Sequence, residues 1–379
     1  MKYRKFGTLD WEVSIIGFGC MRFPTGENNG DILEQESREM LYYAIDQGVN
    51  YLDTAYTYHD GQSERFLGHA LKNGYREKVR IATKLPAHLV KRRTDFDRFL
   101  NEQLAKLQTE HVEFYLLHGL NHQTWHLARD LGVLEWAEGA IAEGRIGYLG
   151  FSFHDSYDVF QQIVDAYKWT FCMIQLNYLC EQFQAGTQGL RYAAANGLAV
   201  VIMEPIMGGG LANQPKSIQD LWGDARQNRS PAEWALQWVW NFPETTAVLS
   251  GMSSMEQIKE NIESADRSGP NSLSEEEISL IHKVSDKYFD LQLIACTKCG
   301  YCMPCPHDVD IPRNLEIYNH CRLFDRIETG LWQYEDLPEK NRASACEQCF
   351  ECEEACPQDI EISNWLSHIH NELGKKPAK

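Results

Sequence analysis

The sequence predicts an α/β protein, a (β/α)8 TIM barrel followed by a small, mostly α domain, on three observations. Eight short β-branched or aromatic runs punctuate the first 250 residues, segments of helical period lie between and after them, and eight of the twelve cysteines fall in two short runs after residue 295. Strict alternation of strand and helix points to a parallel sheet, and eight units is the number that closes a barrel. A doubly wound open sheet is the competing arrangement of the same pattern.

The predicted strands are 14–18, 49–53, 79–84, 112–118, 146–151, 171–177, 198–204 and 246–250. Each is a short apolar run of the kind that forms a strand buried on both faces. The predicted helices are 36–47, 63–73, 95–108, 127–144, 156–167, 186–196, 231–241 and 255–265. Ser230 puts a capping hydroxyl ahead of Pro231 at a first helical position, and Trp234, Trp238 and Trp240 on that helix read as core packing. The polar stretch 266–274 breaks the alternation, and a further helix starts at Ser274 with SEEE as its capping box. The domain boundary is expected near 290, giving a barrel over 1–290 and a cysteine-rich domain over 291–379.

Apolar residues make up 43% of the 379, yet no run approaches the ~18 uninterrupted apolar residues of a membrane helix. The opening MKYRKFGTLDWEVS has no apolar stretch of the signal-peptide kind, so a cytoplasmic location is expected. A net charge of −18 opposes nucleic acid and anionic membranes as partners. Cysteines in such a chain point to metal or redox chemistry rather than to a disulfide framework.

Barrel enzymes carry their reacting groups at the C-terminal ends of strands and on the following loops. Asp53 ends the second predicted strand, Tyr58 lies on its loop, Lys84 ends the third strand and His118 the fourth. Reducing a carbonyl needs a hydride at carbon and a proton at oxygen, and a phenol of pKa ~10 is a reluctant donor. A lysine ammonium held charged by an aspartate would stabilise the tyrosinate left behind, and a histidine beside the tyrosine could orient the carbonyl.

With these residues the sequence resembles the aldo-keto reductase family. The likeness rests on NYLDTAYTYHDGQSE (Asn50 to Glu64), ATKLP (Ala82 to Pro86), YLLHG (Tyr115 to Gly119), GFS (Gly150 to Ser152), QLNY (Gln175 to Tyr178) and GMSSMEQIKEN (Gly251 to Asn261). It covers roughly residues 1–285, an opening hairpin included. The resemblance implies Tyr58 as acid, Lys84 and Asp53 as its tuners, and His118 as the carbonyl-orienting group. It also implies NADP or NAD bound over the barrel mouth without a Rossmann domain. Ser152 and Gln175 would meet the carboxamide, and Ser253, Ser254, Gln257, Glu260 and Asn261 would hold the adenosine phosphate and adenine. Donors at the start of the helix from Met255 suit an anion. Phe153 stands where many relatives have asparagine or histidine, and an uncharged Gln257 cannot grip a 2′-phosphate, which leaves NADH or NADPH open. Gly208 and Gly209 would bring backbone near the pyrophosphate; a flexible loop is the equal reading. Phe23, Trp125 and Trp222 fall on the loops that shape the family's substrate pocket and suggest apolar walls for a small-molecule carbonyl or alcohol.

The run Cys346-x2-Cys349-x2-Cys352-x3-Cys356-Pro357 has the bacterial ferredoxin spacing for a [4Fe-4S] cluster; Cys296-x2-Cys299-x2-Cys302-x2-Cys305-Pro306 is one residue short in its last interval. In two-cluster ferredoxins the fourth cysteine of each run ligates the other cluster. Two [4Fe-4S] clusters in a ferredoxin-like domain are therefore expected, one on Cys296, Cys299, Cys302 and Cys356, the other on Cys346, Cys349, Cys352 and Cys305. Cys321 is the alternative to Cys305, and a pair of four-thiolate zinc sites is the alternative to the clusters. Cys20, Cys172 and Cys180 read as small buried residues. Glu347, Glu351, Glu353, Glu354 and Asp359 read as a solvated surface or as a face for a basic redox-protein partner. The reading is an NAD(P)-dependent oxidoreductase whose clusters transfer electrons or hold structure. Hydride moves two electrons and a cluster one, with no flavin site evident between them. Two rival readings remain: a nucleotide-binding sensor or interaction subunit without turnover, and a ferredoxin-linked reductase with the clusters as electron entry.

Overall fold

The chain opens with a hairpin in which β1 (Tyr3–Lys5) and β2 (Glu12–Ser14) pair antiparallel, Arg4 opposite Val13. The eight predicted strands follow as β3 (Ile16–Gly19), β4 (Tyr51–Asp53), β5 (Arg80–Leu85), β6 (Val112–Leu120), β7 (Ile146–Phe153), β8 (Phe171–Gln175), β9 (Ala199–Met203) and β10 (Thr245–Ser250). Each pairs in parallel with the next, and β10 returns to β3 with Val248 beside Ile16, so the sheet is a closed barrel and not the doubly wound alternative. Every residue of β4 and β10 is buried, as the unalternating apolar runs require. Phe6, in the hairpin turn, packs among Tyr51, Phe114 and Phe171 with ring centroids 6.0, 4.6 and 5.6 Å away, filling the barrel where the strands begin.

This computed structural model describes residues 1–28, 30–291, 293–296, 300–324, 326–356 and 358–375. The chain divides into one unit of 1–212 with 227–278 and a second of 213–226 with 279–379.

The barrel helices are α1 (Glu34–Asp46), α2 (Ser63–Ala70), α3 (Thr94–Leu107), α4 (His122–Asp130), α5 (Val133–Ala142), α6 (Tyr157–Ala166) and α7 (Gly186–Ala195). After the single turn α8 (Lys216–Gln219), which belongs to the second unit, come α9 (Pro231–Trp240), α10 (Met255–Asp266) and α11 (Glu275–Asp290), the last mostly in the second unit. The expected single helix over 127–144 is corrected to two, α4 and α5. An Asn121–Thr124 capping box starts α4 early, and Gly132, left-handed at φ 78°, breaks the run ahead of α5. Both predicted caps form. Ser230 accepts from Glu233 N–H at 3.0 Å, and Ser274 and Glu277 bond each other's backbone N–H at 3.2 and 2.9 Å. Trp234, Trp238 and Trp240 are buried, with Trp240 Nε1 donating to the Ile15 carbonyl at 3.0 Å.

In the second unit, α12 (Ile311–Leu323), α13 (Ile327–Asp336), the short α14 (Glu351–Glu354) and α15 (Ile362–Leu373) surround a core that includes Ile311, Leu315, Tyr318, Cys321, Tyr334, Leu366 and Ile369. The described residues there hold no strand, which makes this unit mostly α. Among the described residues no helix is long and apolar enough to cross a membrane.

Candidate active site and cysteine centre

Three strand ends and one loop bring Asp53, Tyr58, Lys84 and His118 together. Lys84, at the end of β5 and 1% exposed, donates all three of its protons: to Asp53 Oδ1 at 2.6 Å, the Thr54 carbonyl at 2.7 Å and the Tyr58 hydroxyl at 3.2 Å. Asp53, at the end of the neighbouring strand β4 and opposite Ala82, is 3% exposed, and its Oδ2 has no partner. His118, on β6, stands edge-on to the Tyr58 ring at 6.0 Å between centroids and 80° between planes. Its Nδ1 is buried and unbonded. An unpaired buried ring nitrogen is costly unless another group completes it, and the ring stands next to that of Tyr58.

The electrostatics follow from burial. Burial opposes the charge on Lys84, but Asp53 and Tyr58 together outweigh it and hold the ammonium above its ordinary pKa. Burial pushes the Asp53 carboxyl up against the pull of Lys84. The Tyr58 phenol also moves up: burial raises it and Lys84 only partly pulls it back, so it stays a protonated donor at neutral pH. Burial, then Lys84, His88 and His154, hold His118 well below the usual imidazole range, so its ring is neutral.

The Tyr58 loop is strained and tied down. His59, Asp60 and Gly61 all take positive φ (52°, 52° and 81°), and Ser63 Oγ donates to the Cys20 carbonyl at 3.0 Å while sharing a 2.9 Å bond with Thr54 Oγ1. Buried His59 accepts from Phe23 N–H at 3.2 Å, joining this loop to the one after β3. Sequence reasoning gave no role to His59, nor to a buried network behind Lys84. There Gln103 Nε2 donates to the Lys84 carbonyl at 3.0 Å and to Glu64 Oε1 at 2.7 Å, Thr83 donates to the same oxygen at 2.6 Å, and Lys106 meets Glu64 Oε2 at 3.3 Å. Gln103 lies on the buried face of α3, where its type alone carries no signal for a bond to strand β5.

The residues assigned to the nicotinamide lie at the ends of later strands. Ser152, buried on β7, accepts from Gly119 N–H at 2.7 Å, and Gln175 ends β8 with Nε2 3.8 Å from Cys180 Sγ. Ser254 caps α10 by accepting from Gln257 N–H at 3.4 Å, and Gln257 Oε1 accepts from Ser253 N–H at 2.8 Å. Asn261 is buried and donates to Ser250 Oγ at 3.0 Å, and Glu260 accepts from the Ser230 hydroxyl. Gly208 and Gly209 hold φ of 60° and 92° in the turn after β9, a course that favours glycine. Of the expected pocket walls, Phe23 and Trp125 are 3% and 2% exposed. Phe23 packs edge-on to Phe66 at 4.8 Å and Trp125 against Trp169 at 6.0 Å, so both serve the core of this unit. Trp222 donates to Gln214 at 2.6 Å within the second unit.

In the second unit, Cys302, Cys305, Cys346, Cys349 and Cys352 line one cavity of 220 Å³. Gln348 and Phe350, either side of Cys349, take φ of 55° and 65°, curling the run tightly. Thiols from both runs converging on one chamber make a donor set suited to an iron-sulfur cluster. Cys296 and Cys356 are half-buried against the core of the unit; Cys299 and Pro357 lie outside the described residues. Cys305 lines the chamber, whereas Cys321 is buried in the core, donates to the Tyr318 carbonyl at 3.3 Å, and has a thiol pushed up by burial to about 11. Cys20, Cys172 and Cys180 are buried in the first unit.

Comparison with known proteins adds independent support. Residues 15–286 match the aldo/keto reductase family and residues 295–361 a 4Fe-4S dicluster domain. An uncharacterized oxidoreductase of Bacillus subtilis, YqkF, is 26% identical over 320 residues, spanning 76% of this chain and 98% of that protein. The holo form of aldo-keto reductase AKR11C1 from Bacillus halodurans is 28% identical with a TM-score of 0.63, over 75% of this chain and 96% of that one. An aldo-keto reductase from Klebsiella pneumoniae, solved with NADPH, shares the fold at 23% identity and a TM-score of 0.61, over 75% and 95%. The chain belongs to the aldo/keto reductase family and carries a C-terminal 4Fe-4S dicluster domain.

Proposed function

We propose that the chain is an NAD(P)H-dependent oxidoreductase that interconverts a small carbonyl compound and its alcohol at Tyr58. The observation that carries this reading is the single lysine whose ammonium bonds both a buried carboxylate and the tyrosine hydroxyl. The nicotinamide, when bound, supplies the hydride to the carbonyl carbon. Tyr58 gives its phenolic proton to the carbonyl oxygen, and Lys84, fixed by Asp53 and Thr54, stabilises the phenolate that remains. The neutral His118 ring orients the carbonyl by a hydrogen bond. Solvent returns the proton to Tyr58 through its partly open side. Ser152 and Gln175 would hold the carboxamide, Gly208 and Gly209 the pyrophosphate, and Ser253, Ser254 and Gln257, backed by Glu260 and Asn261, the adenosine end. Two [4Fe-4S] clusters would use the eight cysteines in the crossed sets given above, with Cys305 and not Cys321 as the fourth thiolate of the second set.

Tyr58→Phe tests the reading. Carbonyl-dependent oxidation of NADH or NADPH should fall by about 10²-fold or more, the usual worth of a positioned acid. Nicotinamide binding, followed by fluorescence, should stay within about twofold, since the lost proton acts on the carbonyl in the transition state and not on the bound cofactor. A variant that turns over like the parent sinks the assignment.

A further inference from the structure

Helix α15 places Ser363 on the wall of the cysteine-lined chamber. Ser363, in its first turn, is 1% exposed and lines the cavity together with Cys305, Cys346, Cys349 and Cys352. Its backbone is fully engaged: the N–H donates to Glu353 Oε1 at 2.7 Å, and the carbonyl accepts from Ser367 Oγ at 3.0 Å. Its Oγ is buried and has no partner. A hydroxyl withdrawn from water with nothing to bond is unfavourable, and the rest of the fold goes to some length to keep it there. Glu353 stands between Cys352 and Cys356, so its grip on Ser363 N–H locks the start of α15 to the cysteine run, and Gln348 Nε2 repeats the tie one turn on by donating to Ser367 Oγ at 3.1 Å.

We propose that the Ser363 hydroxyl donates a hydrogen bond to a sulfur of the iron-sulfur cluster held by Cys305, Cys346, Cys349 and Cys352, and thereby raises that cluster's reduction potential. This rests on the reading of those four cysteines as cluster ligands. A donor aimed at a sulfide or thiolate sulfur stabilises the more negative, reduced cluster more than the oxidised one, so the potential rises. A serine fits the requirement: its proton rotates onto whichever sulfur lies in reach, and its oxygen adds no charge to the chamber.

The test uses the full chain purified without oxygen, as wild type, Ser363→Ala and Ser363→Thr, with iron and acid-labile sulfide counted and each cluster followed by EPR during a dithionite titration. Ser363→Ala should load iron and sulfide as wild type does, with one midpoint moved to lower potential and the other unmoved. After exchange into D2O, an exchangeable deuteron coupled to that reduced cluster should appear by ENDOR in wild type and vanish in Ser363→Ala. A fully loaded Ser363→Ala with both midpoints unchanged overturns the proposal. If Ser363→Ala loses a cluster, Ser363→Thr decides: its hydroxyl should keep the wild-type potential, and a lowered midpoint there overturns the idea. A wild-type chain holding zinc, or no sulfide, refutes the cluster assignment itself, and that failure shows before any variant is compared.

Discussion

Lys84 and Asp53 form a buried ion pair at 2.6 Å, so the two must be removed together or not at all. Lys84→Met should cost about 3 to 5 kcal/mol, because it leaves a carboxylate in the barrel without a counter-charge. Lys84→Met with Asp53→Leu should regain much of that stability and none of the activity. Denaturant titration of both variants checks this; a double variant no more stable than the single one contradicts it. His118 gives a pH signature. Its folded pKa is depressed, so below the ordinary imidazole value of ~6.5 the unfolded chain binds a proton that the folded chain refuses. Stability therefore falls as pH drops through that value and is regained above it. Unfolding titrations between pH ~7 and ~5.5 should show a shallower decline for His118→Gln than for wild type. The four residue types at the strand ends were legible in sequence because strand ends are where a barrel presents its chemistry. The upward shift of Tyr58 was not: lysine's pull is visible in the residue types, but the opposing burial depends on how closely the walls approach. Ser363 was invisible for the same reason, since an unpartnered hydroxyl exists only once its neighbours are placed.

At the scale of elements, caps and breaks carry the testable content. Ser230→Ala removes the bond from Glu233 N–H and the bond to Glu260, and should cost about 1 kcal/mol by thermal unfolding. Gly132→Ala should cost about 1 kcal/mol or more, since alanine must adopt φ 78° and also displace Arg93. The change at Gly132 should leave nicotinamide binding unaltered. The eight strands were readable because short β-branched runs with turn residues at both ends admit few other structures, and Ser230 and Ser274 announced their helices by type and spacing. The split of 127–144 was missed because Leu131 and Val133 continue the helical period across Gly132, and a single glycine inside such a run does not announce a left-handed φ. The packing of Phe23 on Phe66 and of Trp125 on Trp169 was not legible, because loop position alone does not say which rings meet.

At the scale of the molecule, the two units should respond differently to loss of iron. The second builds its core from a few helices with Cys302, Cys305, Cys346 and Cys352 packed against it, so a cluster there supports the fold as well as any redox role. Chelation without oxygen should make the chain beyond residue 290 prone to proteolysis while the barrel still binds nicotinamide; equal resistance before and after chelation would mean the helices stand unaided. The barrel was foreseeable from alternation and the grouping of Cys305 with Cys346, Cys349 and Cys352 from cysteine spacing, but not that Cys302 lines the same cavity. That convergence bears on biosynthesis. Cys302 and Cys305 leave the ribosome some forty residues ahead of the thiols they meet, and Ser363 and Leu366 arrive last of the walls. The barrel can join β10 to β3 once residue 250 has emerged. The chamber cannot be roofed until Ser363 and Leu366 have emerged, long after β10, so any machinery delivering iron and sulfide meets a chain whose barrel strands are already made, and a message truncated after residue 340 leaves Cys302 and Cys305 stranded and oxidisable.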